Sequence, residues 1–322
     1  MKNLIGIDIG GTKCAAVLGR YDEDGAISII EKCVYPTEKG PEHMLNQLSE
    51  GIEKLLCKFG LSNQDIEGIG VSCGSPLNSK LGVILSPPNL IGWDNIYVNK
   101  YFEDRFGIKT RLQNDANACA LAEWKFGAGK GCNNVIFLTF GTGMGAGLIL
   151  DGRLYTGTND MAGEVGHIRL DSFGPVGYGK SGSFEGFCSG GGIAQLARMK
   201  VLEKIQMGTA VSFCHSIDDL PKLNAKIVAD AAKNGDELAK EIFDISGEYL
   251  GRGLSIIIDI LNPEVIIIGS IFERCTDLLW PKAQEIIARE TLPVSKCVCK
   301  VVPAVLGDSI GDYAALAVAL YE

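Results

Sequence analysis

The sequence predicts an α/β protein of two lobes that arose by internal duplication, and three observations carry this. The apolar stretches NLIGIDI (3–9) and CAAVLGR (14–20) flank the short turn GGTK and are followed by ISIIEKCVY, so three strands succeed one another in an antiparallel meander. The theme restarts in NVIFLTFGTGMGAGLILDGRLY, again strand, glycine turn, strand, with GTG beginning at Gly141 as GGT begins at Gly10. Beyond each meander, apolar strand-length runs alternate with helix-length stretches, the pattern of α/β sheets.

The elements follow in order. After the first meander we expect a helix near 41–59, a strand at IEGIGVSCG, a loop through PLNSKLGVILSPPNLIGW, a helix near 99–106 and a strand at KTRLQND. The second half adds helices at 188–205, 224–234 and 236–261, a buried strand VIIIG, a helix near 277–289, a strand near 299–303 and a last helix from 311. This gives a small domain, 1–116 with the C-terminal helix 308–322, and a large domain, 117–307. No low-complexity linker separates them, so a ligand-binding cleft between two lobes is expected.

Composition narrows the function. The chain has 322 residues, 46% of them apolar and 21% charged, ordinary for a globular enzyme. Its longest apolar runs, VIFLTF and VIIIG, fall far short of the roughly 20 residues of a membrane helix. MKNLIGIDIGG enters a strand pattern at once with no signal-peptide layout, so a cytoplasmic protein is expected. A net charge of −9 argues against nucleic acid as a partner. Eleven scattered cysteines, mostly within apolar runs, read as free thiols rather than a disulfide framework.

The two glycine turns are the first candidate site. Asp8, Gly10, Gly11, Thr12 and Lys13 surround one, and Gly141, Thr142, Gly143 and Gly145 form the other. Glycine frees the backbone for positive φ, so successive amides can line an anion-binding concavity, to which Thr12 and Thr142 add hydroxyls. A tight hairpin alone also favours glycine, but two such turns at matching places in a duplication favour phosphate. A Walker A loop is excluded because no GxxxxGK followed by Ser or Thr stands at either turn, and a dinucleotide fingerprint because a strand follows the glycines. A hairpin from each lobe suits ATP with Mg²⁺, and Asp8 at the end of its strand suits magnesium-bound water.

The acceptor side follows. QNDANACALAEWKFG ends a strand and starts a helix, with Asn114 or Asp115 at the cap; an acid there is either a plain helix cap or a base for a bound hydroxyl. Asn89, in the proline-restrained SPPNLIGW, offers the donor and acceptor that a sugar hydroxyl requires. GEVGHIRLDSFGPVGYGKSGSFEGFCSG places Glu164, His167 and Glu185 on a glycine-rich segment that suits a metal site, a sugar site or a surface loop.

Taken together, IGIDIGGTK, SPPNLIGW, NDANACALAE, FGTGMGAG and GEVGH resemble the ROK family of sugar kinases and repressors, in its bacterial glucokinase type. The resemblance implies the actin-like ATPase fold of hexokinases, ATP as donor, a homodimer, and transfer to the 6-hydroxyl of a hexose. It implies Asp115 as catalytic base, sugar contacts at Asn89, Asn114, Glu164, His167 and Glu185, and Gly269 near the adenosine. Glucose is the default substrate; N-acetylmannosamine, N-acetylglucosamine, fructose, mannose and allose are alternatives within the class. A sugar-responsive regulator and a structural actin-like ATPase are the remote readings. The first is disfavoured because family repressors carry a DNA-binding helix pair before the first phosphate loop, which starts here at Asp8; the second would not need Asn89, Asp115 and the acid and histidine segment.

Two departures from the family pattern stand out. Where most members carry CxCGxxGC, whose cysteines join the histidine on a structural zinc, this chain reads GPVGYGKSGSFEGF. Zinc needs four good ligands, so no zinc is expected, and Tyr178, Phe184 and Phe187 are expected to hold the loop by packing. At 269–271, GSI replaces a usual glycine run.

Overall fold

The computed structural model describes residues 1–38 and 40–321. The chain opens with β1 (Lys2–Ile9), β2 (Lys13–Tyr21) and β3 (Ile27–Pro36), followed by α1 (Pro41–Phe59) and β4 (Ile66–Cys73). Three short strands, β5 (Leu77–Asn78), β6 (Val83–Ile84) and β7 (Ile96–Tyr97), precede α2 (Val98–Phe106), β8 (Thr110–Asn114) and α3 (Asp115–Phe126). Then come β9 (Val135–Leu138), β10 (Ala146–Leu150), β11 (Arg153–Leu154), the hairpin β12 (Val176–Gly177) and β13 (Lys180–Ser181), α4 (Phe184–Cys188), α5 (Gly190–Gln206), α6 (Ala225–Lys233) and α7 (Glu237–Leu261). The chain closes with β14 (Val265–Ile268), α8 (Ile271–Glu290), α9 (Pro293–Lys296), β15 (Lys300–Pro303) and α10 (Ile310–Leu320).

The duplication is visible in topology. One sheet runs β3-β2-β1-β4-β8 and the other β11-β10-β9-β14-β15, the same spatial order with each meander's first strand central. In the first, β1 pairs antiparallel with β2 and parallel with β4, which pairs parallel with β8. Residue contacts divide the chain into two compact units, 1–137 with 147–162 and 305–322, and 138–146 with 163–304.

In the first unit the sheet is covered on both faces, which the period-2 alternation of its strands permits. Ile5, Ile7, Ala16 and Leu18 join Leu48, Ile52 and Leu55 of α1 and Phe102 of α2 in one cluster. The alternate residues Leu4, Ala15 and Val17 join Leu316 and Ala319 of α10 on the other face. Fully burying one such side chain stabilises by roughly 1.5–3 kcal/mol. The α10 backbone approaches so closely that a methyl group on Gly70 would lie 2.1 Å from the Ala315 carbonyl oxygen, so only glycine fits there.

In the second unit α7 is the spine, packed against α4, α5, α6 and α8. It starts at Asp236, whose carboxylate accepts from Ala239 N at 2.9 Å, and ends at Asn262 in the left-handed region. The helix expected over 188–205 is α5, which starts two residues later because Ser189 caps it through Gly192 N, and the short α4, capped by Ser183 through Gly186 N, precedes it. Helix α8 begins at Ile271, earlier than the expected 277, because Ser270 and Glu273 form a capping box; Cys275 at φ −132° then separates its first turn from the rest. Among the described residues no helix is long and apolar enough to cross a membrane.

Candidate active site

In the first unit the candidate residues gather at the carboxyl ends of the parallel strands, the edge where open α/β sheets take ligands. Asp8 lies opposite Ser72 on β4, and Asn114 opposite Cys73, so Asp8 and the start of α3 stand two strand spacings apart, roughly 10 Å. The GGTK turn is closed by Gly10 N donating to the Lys13 carbonyl at 3.1 Å. Thr37 braces it, its hydroxyl donating to the Gly10 carbonyl at 2.6 Å. Thr12 and Lys13 are exposed. Gly11 sits directly against the SPPNLIGW loop: a Cβ there would lie 2.9 Å from the Cβ of Asn89. That loop is anchored by buried Trp93, whose carbonyl accepts from Ser86 N at 2.9 Å, and it leaves Asn89 exposed beside the turn.

The helix start resolves the alternative left open by the sequence. Asn114 is the cap: its Oδ1 accepts from Asn117 N at 3.0 Å while its Nδ2 donates to Ser75 Oγ at 2.8 Å. Asp115 is therefore the first helical residue, and its carboxylate accepts from its neighbour Ala116 N at 2.8 Å. The Asp115 side chain remains open to solvent yet is ringed by protein, and this desolvation raises its carboxyl above the ordinary carboxylate value. Asp8 is raised to about 6, first by burial and then by the negative charges of Asp312 and Asp115, against the opposing pull of Lys13 and Lys32. An upward shift suits a group that must take a proton.

In the second unit the candidates again come together. Glu185, on α4, accepts through Oε2 from Met144 N at 2.9 Å, inside the second glycine turn. A Cβ on Gly143 would lie 2.9 Å from that same oxygen, so glycine is needed for the carboxylate to reach the turn. Gly166, between Glu164 and His167 in sequence, packs where a Cβ would meet the Met144 carbonyl at 2.2 Å. The turn is further tied by Gly141 N to the Gly143 carbonyl at 3.2 Å, by Gly145 N to Thr139 Oγ1 at 2.8 Å, and by Gly190 N to the Gly141 carbonyl at 2.8 Å. Thr142 is exposed, and Gly269 is buried with its N–H on the Leu138 carbonyl at 3.1 Å. Glu164 and His167 bracket a single 3₁₀ turn, with His167 N on the Glu164 carbonyl at 3.1 Å.

The glycine-rich segment between them is held by side chains gripping backbone. Gln195 makes a two-point clamp on Val176, accepting from its N–H at 3.0 Å and donating to its carbonyl at 2.8 Å. Ser181 Oγ donates to the Gly174 carbonyl at 2.9 Å and Arg169 to the Ser181 carbonyl at 2.6 Å. Of the three aromatics expected to pack, Phe184 is fully buried, and Phe187 stacks on Tyr249 at 3.4 Å while Tyr249 donates to Asp171 at 2.6 Å. Tyr178 does not join them; it is 77% exposed at a hairpin tip. Cys188 is turned inward, its thiol against the Ser246 carbonyl at 3.5 Å. No group of three or more His, Cys, Asp or Glu side chains is poised for a metal ion among the described residues, so the donors present do not fit a structural zinc.

Sequence reasoning missed three polar residues of the first unit. Asp312, in the first turn of α10, is buried and ion-paired with Lys32 at 2.7 Å, and the adjoining Gly311 abuts Asp8. Ser75 holds the Asn114 amide, and Glu123 locks the far end of α3. An acid in the first turn of a terminal helix was the one available signal, and it is shared by any helix with favourable end charges.

Comparison with known proteins agrees with the motifs. The chain is 30% identical over 322 residues to the glucokinase of Thermotoga maritima, covering 99% of this chain and 93% of that one. It is 28% identical to the xylose repressor of Caldicellulosiruptor bescii, over 88% of this chain and 70% of the repressor. Its fold matches the ROK family glucokinase of Streptomyces griseus, solved with glucose and AMPPNP, at a TM-score of 0.75 and 28% identity over 99% of both chains. With two α/β sheets of identical strand order, a glycine turn in each half, and a match that runs from residue 4 to residue 321, the chain belongs to the ROK family.

Proposed function

We propose that this chain is an ATP-dependent hexose kinase that phosphorylates the 6-hydroxyl of glucose or a related sugar, with Asp115 as general base. One observation carries the reading: Asn114 does the capping, so the desolvated carboxylate of Asp115 stands at the sheet's ligand edge without that structural duty. In phosphoryl transfer the transition state is loose and the acceptor need not be deprotonated early, so a carboxylate suffices to orient the hydroxyl and take its proton. Asn89 and the remaining N–H of the Asn114 amide offer hydrogen bonds to sugar hydroxyls, as do Glu164, His167 and Glu185. The amides and hydroxyls of Gly10–Lys13 and Gly141–Gly145 serve the phosphates, with Gly269 toward the adenosine. The Thermotoga and Streptomyces relatives, both named glucokinases, support the sugar, and the AMPPNP of the latter supports the nucleotide.

Magnesium fits the donors of the first unit. The ion keeps most of its waters and takes one or two carboxylates beside substrate phosphates; Asp8 adjoins the GGTK turn, whereas Asp312 is engaged by Lys32. When bound there it would neutralise phosphate charge.

The test is an ADP-release screen over hexoses and N-acetylhexosamines, ranked by kcat/KM. Release stimulated by a hexose, with the 6-phosphate as product, is expected; ATP hydrolysis indifferent to every sugar would sink the proposal. The same assay has an acid limb. Asp8 takes a proton as pH falls through about 6, so it is ionised above that range, and burial shifts Asp115 in the same upward direction. The profile of kcat/KM for the sugar, which reports the free enzyme, is therefore expected to decline as pH drops through about 6; one that stays flat to pH 5 contradicts the assignment of Asp8.

A further inference from the structure

The hairpin of β12 and β13 takes hold of His167 at two points. The Tyr178 ring stands edge-on to the imidazole, with centroids 5.4 Å apart and planes at 73°, and Lys180 Nζ donates to the His167 carbonyl at 2.7 Å. Tyr178 and Gly179 are the two loop residues of this hairpin, at φ 43° and 78°. Two-residue turns with both central positions left-handed strongly favour Asn, Asp and Gly, and a bulky side chain there is strained. Burial does not compensate, because the residue is 77% exposed. Neither turn chemistry nor core packing accounts for a tyrosine at this place; the contact with His167 does.

The hairpin is also a firm base. Gln195 clamps Val176 at one end of it, and Ser181 is bonded to Gly174 and Arg169 at the other. From this base Tyr178 meets the His167 ring edge-on.

We propose that Tyr178 is a positioning and specificity-determining residue: its ring edge orients the His167 imidazole, and its exposed face forms an apolar platform for the carbon-bound face of the sugar ring. This rests on the kinase reading above, in which His167 is a sugar contact. A rigid aromatic ring supplies contact area while losing little rotamer freedom, which suits it to select among sugars that differ in one axial or equatorial group.

Two substitutions separate this role from a structural one. Tyr178→Asn removes the ring but suits the left-handed backbone, so Tm is expected to stay level or rise. At the same time KM for the preferred sugar rises about tenfold, kcat changes less than about threefold, and discrimination across the sugar panel flattens. Tyr178→Phe keeps the ring and is expected to match wild type. Among the chain's three histidines, the His167 imidazole proton resonances, assigned by elimination with His43→Gln and His215→Gln, should shift in Tyr178→Asn and stay in place in Tyr178→Phe. Unchanged KM values with unmoved resonances overturn the proposal, as does a fall in Tm with kcat and KM drifting together. If wild type phosphorylates no sugar, the kinase reading fails and takes the platform with it; the resonances then decide the positioning role alone, moved ones supporting it and unmoved ones refuting it.

Discussion

Asp115→Asn is expected to lower kcat by about 10²–10⁴-fold while KM for sugar and for ATP stays within a few-fold of wild type. The substitution is nearly isosteric, and the amide oxygen of asparagine still accepts from Ala116 N, so the local backbone keeps its partner. Helix α3 keeps its cap because Asn114 supplies it, and stability should move by no more than about 0.5 kcal/mol. What disappears is the proton acceptor and one negative charge. That charge contributes to the raised value of Asp8, so the residual activity of the variant should show its acid limb at lower pH. Steady-state kinetics over pH 5–8 check both statements. Near-normal kcat would remove Asp115 from the mechanism and leave it a first-turn acid favoured by the helix dipole. The control is Asn114→Ala, which loses the cap and the Ser75 contact. It should cost about 1 kcal/mol of stability and act on KM more than on kcat.

These two neighbours show where the sequence was legible and where it stopped. The strand, the helix and the polar pair at their junction follow from local pattern. Which of the pair caps the helix depends on the backbone angle at Asn114 and on Ser75, which arrives from a distant strand end. The two glycine turns were legible as turns because they recur at matching strand ends of a duplicated pattern. That Glu185 reaches Met144 N was not, since only the folded chain brings residues 144 and 185 to 2.9 Å. Tyr178 misled for the opposite reason: an aromatic in a loop promises packing, and only its left-handed φ and its exposure reveal a residue held out toward solvent. The short strands β5–β7 and β12–β13 escaped because two residues carry no period. Local pattern thus reaches the elements, while side chains that bind distant backbone remain out of its range.

Glu123 is the strongest case of that kind, and the largest loss of stability is expected there. Its side chain is fully buried on α3, two turns from Asp115. One oxygen accepts from Ala128 N at 2.8 Å; the other accepts from Val305 N at 2.9 Å and Leu306 N at 3.0 Å. Three backbone donors from two chain segments thus converge on one carboxylate, which ties the end of the Asp115 helix to the segment leading into α10. Glu123→Ala leaves all three donors without this partner in a buried place and should destabilise by about 3–5 kcal/mol. At roughly 2–4 °C per kcal/mol, the midpoint of the first unit's thermal transition would fall by about 6–20 °C. Glu123→Gln tests the charge apart from the shape. Its amide oxygen can still accept from one side, but its NH₂ must face an N–H on the other, donor against donor, so a loss of about 2 kcal/mol is expected even with volume conserved. Because Asp312 lies on α10, loosening this tie should also disturb the Lys32–Asp312 pair beside Asp8 and reduce kcat before unfolding sets in. Calorimetry on both variants, with kcat followed at temperatures below the transition, checks the order of events. A Glu123→Ala protein melting within about 2 °C of wild type would show that the three amides find other partners and that α3 is held by its packing against α10 alone.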